Sequence, residues 1–472
     1  MVFSSAAFLF AFLPVTLLLY CPRLFYKNRK REIAKKNLVL LIASLVFYAW
    51  GEPIYVLLMA LSILFNYFIG LDIEMHKDSP KSKKLMLAFG ILFNVSALGF
   101  FKYSGFVTES INSLFSLSLE FNAPELPIGI SFYTFQIISY IVDVYRGTPA
   151  QKGLVPFATY VTMYPQLIAG PIVQYGDIEK QLNDRTVTRE KLAAGILIFI
   201  KGMGKKVLFA NTIGAFYTEI SALGLDRIST VTAWVGIICY TLQIYFDFSG
   251  YSDMAIGLGK MLGFDFSLNF NLPYRAKSIT EFWRRWHISL GNWFRDYVYI
   301  PLGGNRVKPL RHILNILIVW TLTGLWHGAA WNFVAWGGLY GILLIVEKYL
   351  LKNVLEKIPS FIRHAGTMVV VMVGWVLFSA ESFTAAAEYI RIMFGMGETA
   401  FYDSTATYYL SSAGLSIIVM SLSAFGFFVN MPRVKKFRLN VAAMAAGYTL
   451  VFLLCVIYLI SETYNPFLYF RF

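Results

Sequence analysis

The chain of 472 residues is too apolar for a water-soluble protein, because 57% of its residues are hydrophobic and only 14% are charged. Soluble domains carry about 25% charged residues, so most of this protein's surface is expected to face lipid. The net charge of +14 lies in short loops between apolar stretches, which is typical of cytoplasmic loops rather than of a nucleic-acid-binding surface. We therefore predict an integral membrane protein whose partner is the lipid bilayer, with no nucleic-acid partner.

The first apolar stretch, residues 3–21, is predicted to be a membrane span and not a signal peptide. No Lys or Arg precedes it, and the basic cluster at 23–36 follows it, which is the reverse of the charge order in a cleaved signal. Cys21 follows Tyr20, which argues against lipoprotein processing. We expect the N-terminus to lie outside.

Further apolar stretches recur along the chain, and a helix needs about 20 apolar residues to cross about 30 Å of hydrocarbon. They cover residues 37–50, 54–71, 86–105, 128–145, 192–220, 230–263, 313–331, 333–350, 366–380, 408–429 and 440–461. These lengths predict an all-α, polytopic fold with roughly ten to twelve crossings. The stretch 156–175 is interrupted by two prolines and a glycine, so we expect a re-entrant segment packed inside protein.

Charged loops predict the orientation of the spans, since basic loops are retained in the cytoplasm. The loop 107–126 contains three Glu and no Lys or Arg, and is expected outside. Three basic clusters are expected on the cytoplasmic side. They are Lys27, Arg29, Lys30, Arg31, Lys35 and Lys36; Lys77, Lys81, Lys83 and Lys84; and Arg433, Lys435, Lys436 and Arg438. The last span then delivers the C-terminus to the outer face.

A single membrane domain, residues 1–472, is the predicted organisation, with two distinctive segments. Residues 264–312 are rich in Trp, Arg, Tyr and His, a mixture typical of amphipathic helices that lie in the membrane interface on the cytoplasmic side. Residues 462–472 form an aromatic tail on the extracytoplasmic side.

Histidine is scarce, and one of the five stands apart. His76, His312 and His364 lie in or beside charged loops, where a solvated histidine is the default. His287 lies among Arg and Trp in the polar segment, where a structural role and a catalytic role are equally plausible. His327 ends a run, 313–326, that contains no charged residue.

An ionisable group at the end of an apolar span is costly, which by default indicates a function for His327. Thr323 lies one turn earlier and is placed to hold a ring nitrogen. An imidazole is the usual general base for activating a hydroxyl. A buried histidine satisfied by a neighbouring helix is the alternative.

Other catalytic signatures do not occur in the sequence: there is no GxSxG elbow, HExxH, Walker A or GxGxxG motif. The three cysteines form no CxxC pair, and the histidines lack metal-ligand spacing. We predict no metal site. Asp247 and Asp253, within an apolar region, either line a polar cavity or pair with Lys or Arg of a neighbouring helix; we favour the structural lining.

Five local sequences together indicate a family. They are Pro127-Ile-Gly-Ile-Ser-Phe-Tyr-Thr-Phe-Gln136, Pro165-Gln-Leu-Ile-Ala-Gly-Pro-Ile172, Asp247-Phe-Ser-Gly-Tyr-Ser-Asp253, Phe282-Trp-Arg-Arg-Trp-His-Ile-Ser-Leu290 and Thr323-Gly-Leu-Trp-His-Gly328. In this order and separation the chain resembles, over nearly its whole length, the membrane-bound O-acyltransferases, in the bacterial branch of alginate O-acetylases and lipoteichoic-acid D-alanyl transferases.

The resemblance implies a ring of tilted helices around a tunnel that leads to a catalytic histidine, which maps onto His327; the second family histidine maps onto His287. The tail Phe467-Leu-Tyr-Phe-Arg-Phe472 is similar to a C-terminal motif in which a tyrosine, here Tyr469, receives the acyl group and relays it. An interfacial aromatic anchor is the alternative for this tail.

The reaction implied is O-acetylation of an exported polysaccharide, such as alginate or another envelope glycan, in the bacterial plasma (inner) membrane. Acetyl-CoA is the donor substrate, with no tightly bound cofactor, and an extracytoplasmic SGNH-like acetyltransferase is the expected partner. Charge and position suggest Arg284, Arg285 and Trp286 as donor-binding residues.

Three alternatives differ in substrate or class. D-alanyl transfer to teichoic acid would keep the mechanism and change the donor, but the tyrosine motif at this chain's own C-terminus favours acetylation. Peptidoglycan O-acetylation is also compatible. A lipid-linked sugar transporter would show internal repeats, which the sequence lacks.

Overall fold

The structure is a computed structural model and describes residues 1–20, 29–427, 441–461 and 468. Within these ranges the regular elements are all helices and no strand occurs, so the all-α prediction is confirmed. The helices through the first half of the chain are α1 Leu13–Tyr20, α2 Arg29–Ala49, α3 Tyr55–Met75, α4 Pro80–Phe115, α5 Ile130–Arg146, α6 Leu154–Thr162, α7 Tyr164–Leu167, α8 Tyr175–Asn183, α9 Arg189–Gly204, α10 Asn211–Ala222 and α11 Thr230–Met261.

The helices in the second half of the chain vary from four to 21 residues in length. They are α12 Ile279–Trp283, α13 Ile288–Phe294, α14 Pro309–His327, α15 Trp331–Val346, α16 Lys352–Leu355, α17 Ser360–Ser379, α18 Phe383–Met393, α19 Ser404–Ala424 and α20 Val441–Ser461. In the described part of the chain, four π-helical segments join or extend these helices, at Phe8–Phe12, Lys205–Ala210, Arg295–Tyr299 and Glu347–Leu351. Within the described residues each apolar stretch predicted from the sequence is helical, but the stretch 192–220 is divided between α9, a π-helical segment and α10.

Seven helices of the described residues are long and apolar enough to cross a membrane. They are α3, α4, α11, Trp331–Leu355 (which begins as α15), α17, α19 and the last helix, α20. The protein is therefore polytopic. The other predicted stretches form helices that are shorter or more polar: α2 begins with the basic run Arg29–Lys36, and α5 has 17 residues that are almost all buried.

The described chain divides into two compact units. Unit 1 comprises Met1–Phe199 and Ser252–Ser267, and unit 2 comprises Ile200–Tyr251 and Leu268–Phe472. The prediction of a single membrane domain, and the ring with a central tunnel that the resemblance implies, stay predictions.

Unit 1 contains the interrupted segment, which is broken and buried as predicted. The chain turns at Met163 between α6 and α7, and Gly170 packs so tightly that a Cβ would lie 2.5 Å from the Cα of Gln166. The buried hydroxyl of Tyr160 donates to the carbonyl of Val173 at 2.9 Å. Backbone groups freed by the break are thus satisfied inside the protein, which a lipid-exposed loop could not achieve.

Unit 2 contains residues 268–312, which are all but the first four residues of the polar segment predicted at 264–312. Its helices α12 and α13 have five and seven residues, and aromatic side chains on them are buried in the protein. Ser278 caps α12, its hydroxyl accepting the backbone N–H of Glu281 at 3.1 Å. This segment brings His287 into the interior of the unit; its position relative to a membrane surface stays a prediction.

Candidate active site

His327 is the last residue of α14 and is buried, with 3% of its surface exposed. Aromatic rings surround its imidazole: the ring centroids of Trp326, Trp336 and Phe378 lie 5.0, 5.1 and 5.3 Å away. The hydroxyl of Thr323 donates to the carbonyl of Val319 at 2.8 Å. The imidazole therefore lies in a largely apolar setting, as the sequence predicted.

The position of His327 depends on a close crossing of α14 and α15. Gly324 and Gly337 meet at this crossing: a Cβ on Gly337 would overlap the carbonyl oxygen of Trp320, and a Cβ on Gly324 would overlap that of Phe333. Small residues let two helix backbones approach in this way. Gly324, the glycine of the Thr-Gly-Leu-Trp-His motif, is therefore required for the close packing of α14 on α15. It lies three residues before His327.

His287 lies next to His327, with 6.5 Å between the ring centroids, and is 2% exposed. Its Nδ1 is 3.3 Å from Oδ1 of Asn269. The same oxygen accepts the backbone N–H of Ser289 at 3.2 Å and the Ser289 hydroxyl at 2.9 Å. Asn269, itself fully buried, is therefore the residue that orients His287.

These contacts fix the tautomer of His287. A backbone N–H only donates, so the side-chain atom of Asn269 that Ser289 contacts must be the oxygen, and Nδ1 of His287 must carry the hydrogen. In a neutral imidazole Nε2 then keeps its lone pair. Burial lowers the pKa of His287 from 6.5 to about 3, which keeps the ring neutral. Nε2 has no hydrogen-bond partner among the described residues.

The backbone of His287 is held in the left-handed region, with φ 45° and ψ 52°. Among described residues other than glycine, only Ser116 and Leu272 share a positive φ. Such conformations cost of order 1–3 kcal/mol and cluster at functional sites. The fold accepts this strain at the residue that faces His327.

A cavity of ≈ 180 Å³ borders His287. It is lined mainly by aromatic and aliphatic side chains of unit 2, and Thr323 brings it within one helical turn of His327. The lining residues are Trp283, Trp286, His287, Leu290, Gly291, Phe294, Arg295, Tyr299, Val319, Trp320 and Thr323. Such a small apolar cavity, with one imidazole and one guanidinium in its lining, is suited to a long, thin ligand that has a reactive group at its end.

The three predicted donor-binding residues lie in different surroundings. Trp286 lines the cavity and stacks in an aromatic cluster, with its ring centroid 4.9 Å from that of Trp375. Arg285 forms an ion pair with Glu281 at 2.8 Å. Arg284 is exposed and is not part of the cavity lining. Their donor-binding role stays a prediction, and Arg295, which the sequence did not single out, is the cationic residue in the lining.

Asp247, for which we favoured lining of a polar cavity over an ion pair, forms the ion pair. Its Oδ1 lies 2.8 Å from Nζ of Lys206. Tyr469, the predicted relay residue, lies outside the described residues, as do Lys27 and the basic cluster 433–438. Leu468, which directly precedes Tyr469, is described, and its contact is taken up below.

One prediction for the remaining histidines is wrong. His312 is not solvated but buried, because it lies between two tyrosines: its Nε2 is 2.8 Å from the hydroxyl of Tyr299 and its Nδ1 is 2.7 Å from that of Tyr349. His76 and His364 are half-buried and contact backbone carbonyls. Since Tyr299 also lines the cavity, His312 supports its wall.

The sequence analysis missed Asn269, Arg295 and Lys206. Asn269 and Lys206 each act through a partner distant in the sequence, and the spacing of the residues does not reveal that partner. Arg295 pairs with the adjacent Asp296 and is recognised only by its place in the cavity lining. The only available signal was the occurrence of a polar side chain in an otherwise apolar or aromatic neighbourhood.

The chain is similar to proteins of known family. Residues 144–386, which include both histidines, match the model of the membrane-bound O-acyltransferase family. The chain is also 41% identical, over the full length of both chains, to a Pseudomonas putida protein named as a probable alginate O-acetylase AlgI. This protein belongs to the membrane-bound O-acyltransferase family. It is thus an O-acyltransferase and a multi-pass membrane protein, and the transporter alternative is wrong.

Other relatives of the acyltransferase differ in their acceptors. A Helicobacter pylori peptidoglycan O-acetyltransferase is 36% identical over 84% of this chain and 80% of its own length. A Bacillus subtilis teichoic acid D-alanyltransferase is 27% identical over 48% of this chain and 60% of its own length. The similarity to O-acetylating relatives therefore extends further than that to the D-alanyl transferase.

Proposed function

We propose that this acyltransferase takes an acetyl group from acetyl-CoA and delivers it across the bacterial inner membrane for O-acetylation of an exported polysaccharide, alginate or a similar envelope glycan. The observation that carries the proposal is the pair of buried imidazoles, His287 and His327, with 6.5 Å between their centroids beside a cavity. The relatives named as alginate O-acetylase and peptidoglycan O-acetyltransferase support acetyl as the group transferred.

The cavity is the proposed path of the donor. Its apolar lining suits the acetyl-pantetheine arm, which is long and thin, and Arg295 supplies a positive charge in the lining. Arg295 pairs with Asp296 at 2.8 Å, which holds its guanidinium in place. The exposed Arg284 adds positive charge outside the lining, where the phosphates of CoA would lie.

His327 is the proposed general base. The acceptor hydroxyl attacks the thioester carbonyl, a new O–C bond forms and the C–S bond breaks. His327 takes the hydroxyl proton and returns it to the leaving thiolate, so the products are an ester and free CoA. The lone pair on Nε2 of His287 provides a second acceptor that can hold the hydroxyl hydrogen before attack.

Tyr469 is the proposed first acceptor. A phenol has a pKa near 10, so it needs a base to attack at neutral pH. The resulting aryl ester would pass its acetyl group to a glycan hydroxyl, with a separate extracytoplasmic SGNH-like acetyltransferase as the partner. These transfer steps require the C-terminal tail to lie on the outer side of the membrane. The charged loops predict this location for both termini.

D-alanyl transfer is the second candidate. It receives support only from the shorter and weaker similarity to the teichoic acid D-alanyltransferase, which spans 48% of this chain. Peptidoglycan is an alternative acceptor within the acetyl proposal, supported by the Helicobacter pylori relative. Donor choice and acceptor choice are therefore separate questions for experiment.

The test uses the purified full-length protein in nanodiscs with acetyl-CoA labelled in the acetyl group. We expect one labelled acetyl on Tyr469, found by mass spectrometry of C-terminal peptides, and none in Tyr469→Phe. D-alanyl thioester of a carrier protein, offered in the same assay, should give no label. Labelling by the D-alanyl donor alone would reject the acetyl proposal, and label on an added glycan but never on protein would reject the relay.

A further inference from the structure

A buried ion pair lies in the interior of unit 2. Nζ of Lys206 is 2.8 Å from Oδ1 of Asp247, and the two side chains are only 3% and 2% exposed. Lys206 also donates to Oδ1 of Asn211 at 3.0 Å. Removing two charges from water is expensive, and an apolar pair of similar volume is often at least as stable. Stability alone therefore does not explain why the pair is there.

The backbone that carries Lys206 is unusual. Lys206 lies in the π-helical segment Lys205–Ala210, and such segments are rare and occur frequently at functional sites. The segment packs closely on α11: a Cβ on Gly250 would lie 2.7 Å from the carbonyl oxygen of Gly202 and 2.9 Å from the nitrogen of Lys206. The ammonium group is thus held at a fixed place beside Asp247.

The second carboxylate oxygen of Asp247 binds the C-terminal tail. The backbone N–H of Leu468 donates to Oδ2 of Asp247 at 3.0 Å. The preceding helix, α20, ends at Ser461 and packs on the same region, where a Cβ on Gly204 would lie 3.0 Å from Cγ1 of Val451. Leu468 and α20 therefore both contact this region of unit 2.

Asp247 lies near the middle of α11, which begins at Thr230 and ends at Met261. At 1.5 Å per residue it is roughly 21–26 Å from either end of the helix. A tail that served only as an anchor in the headgroups would have no use for an acceptor at this position. A carboxylate that accepts a backbone N–H forms a charge-assisted hydrogen bond, which is stronger than a neutral one.

We infer that Asp247, held by Lys206, is the seat of the C-terminal tail: one carboxylate oxygen is fixed by the ammonium group, and the other fixes the tail at Leu468. Tyr469 is the next residue in the chain, so this seat sets where the tyrosine is offered. The consequence for transfer rests on the proposed function, in which Tyr469 carries the acetyl group. Asp247 is a positioning residue, since it acts through the tail.

Two variants remove the seat in different ways. The pair Lys206→Met with Asp247→Leu removes both charges together and avoids leaving one buried charge unpaired. Leu468→Pro removes the donor N–H and leaves the ion pair untouched. Their controls are Lys191→Met with Asp265→Leu, which removes a partly exposed ion pair of unit 1, and Leu468→Ala, which keeps the N–H.

Binding of the tail at Asp247 is measured as protection from carboxypeptidase digestion. The full-length protein is digested in nanodiscs, and the shortened products are identified by intact mass. Digestion with carboxypeptidase Y, which accepts proline, should stop before Leu468 in the wild type. Both seat variants should be trimmed past it roughly ten- to a hundredfold faster, each rate taken relative to a free peptide of the same C-terminal sequence because proline itself slows cleavage; a hydrogen bond to a charged group contributes about 1.5–3 kcal/mol. The two controls should match the wild type. Equal trimming of wild type and both seat variants would overturn the inference.

Acetyl transfer is measured on the same samples. Tail protection together with labelled Tyr469 in the wild type, and loss of both in the seat variants, would support the seat and its role in transfer. Tail protection without label on wild-type Tyr469 would support the seat and reject the relay. Loss of tail protection with unchanged labelling of Tyr469 would overturn the positioning role of Asp247.

Discussion

The imidazoles of His287 and His327 lie with 6.5 Å between their centroids and their planes inclined by 69°. The first sits in a strained turn before a seven-residue helix, and the second ends a nineteen-residue apolar helix. Their surroundings differ: Asn269 fixes the tautomer of His287, whereas aromatic rings enclose His327. Because of this difference, we expect substitutions of the two histidines to have different effects.

Replacing His327 by Ala should lower the rate of acetyl transfer by roughly 10²–10⁴-fold, the usual contribution of a general base. The protein should still insert and bind acetyl-CoA, because the imidazole is at the end of α14 and does not line the cavity. Single-turnover labelling with acetyl-CoA measures the rate. His76→Ala, a change at a half-exposed histidine of unit 1, is the matched control and should transfer at the wild-type rate.

Replacing Asn269 by Leu should destabilise unit 2 by at least ~2 kcal/mol, because the N–H and hydroxyl of Ser289 and the Nδ1–H of His287 lose their acceptor inside the protein. Thermal unfolding in detergent measures the loss. Asn183→Leu, at an exposed amide on α8, should leave the unfolding midpoint nearly unchanged. An equal effect of both changes would remove Asn269 from its orienting role.

Acid should destabilise the protein through His287. Its pKa is about 3 in the folded state and 6.5 in the unfolded chain, so between these values the unfolded state binds more protons. This contribution to stability is therefore full well above pH 6.5 and falls as the pH drops towards 3, by about 1.6 kcal/mol between pH 6.5 and pH 5. Comparing unfolding of the wild type with His287→Gln over this window isolates the contribution, which the variant should lack.

Adding one methyl group at the crossing of α14 and α15 should lower the free energy of unfolding. Gly337→Ala forces a Cβ into the carbonyl oxygen of Trp320, and such overpacking costs about 1–3 kcal/mol. Acetyl transfer should fall as well, since the crossing positions His327. Gly338→Ala is the control one residue away: nothing lies within 4 Å of its Cβ, so this change should be tolerated in both unfolding and activity assays.

Filling the cavity should weaken donor binding without unfolding the protein. Gly291 lines the cavity, and a Cβ there meets no atom within 4 Å, so Gly291→Ala should behave as the wild type. Gly291→Trp should raise the KM for acetyl-CoA markedly while the unfolding midpoint is kept. Steady-state release of CoA measures KM, and an unchanged KM in the Trp variant would mean that the donor takes another path.

The sequence predicted well what depends on local composition. Apolar runs predicted the helices, the interruption at 156–175 predicted a buried break, and the absence of charge before His327 predicted its enclosure. Tertiary partners could not be predicted, because neither the contact of Asn269 with His287 nor that of Lys206 with Asp247 follows from sequence spacing. The prediction for His312 was wrong for the same reason. Its charged neighbours in the sequence indicated a solvated side chain, but the two tyrosines that bury it lie 13 and 37 residues away along the chain.

The left-handed backbone of His287 affects how a mutational scan at this position would be interpreted. Glycine relieves the strain while deleting the ring, asparagine tolerates the conformation while offering an amide, and valine or isoleucine opposes the backbone before any chemistry is tested. Loss of activity in β-branched variants would thus report main-chain geometry, and only comparison of the glycine and asparagine variants reports the imidazole itself.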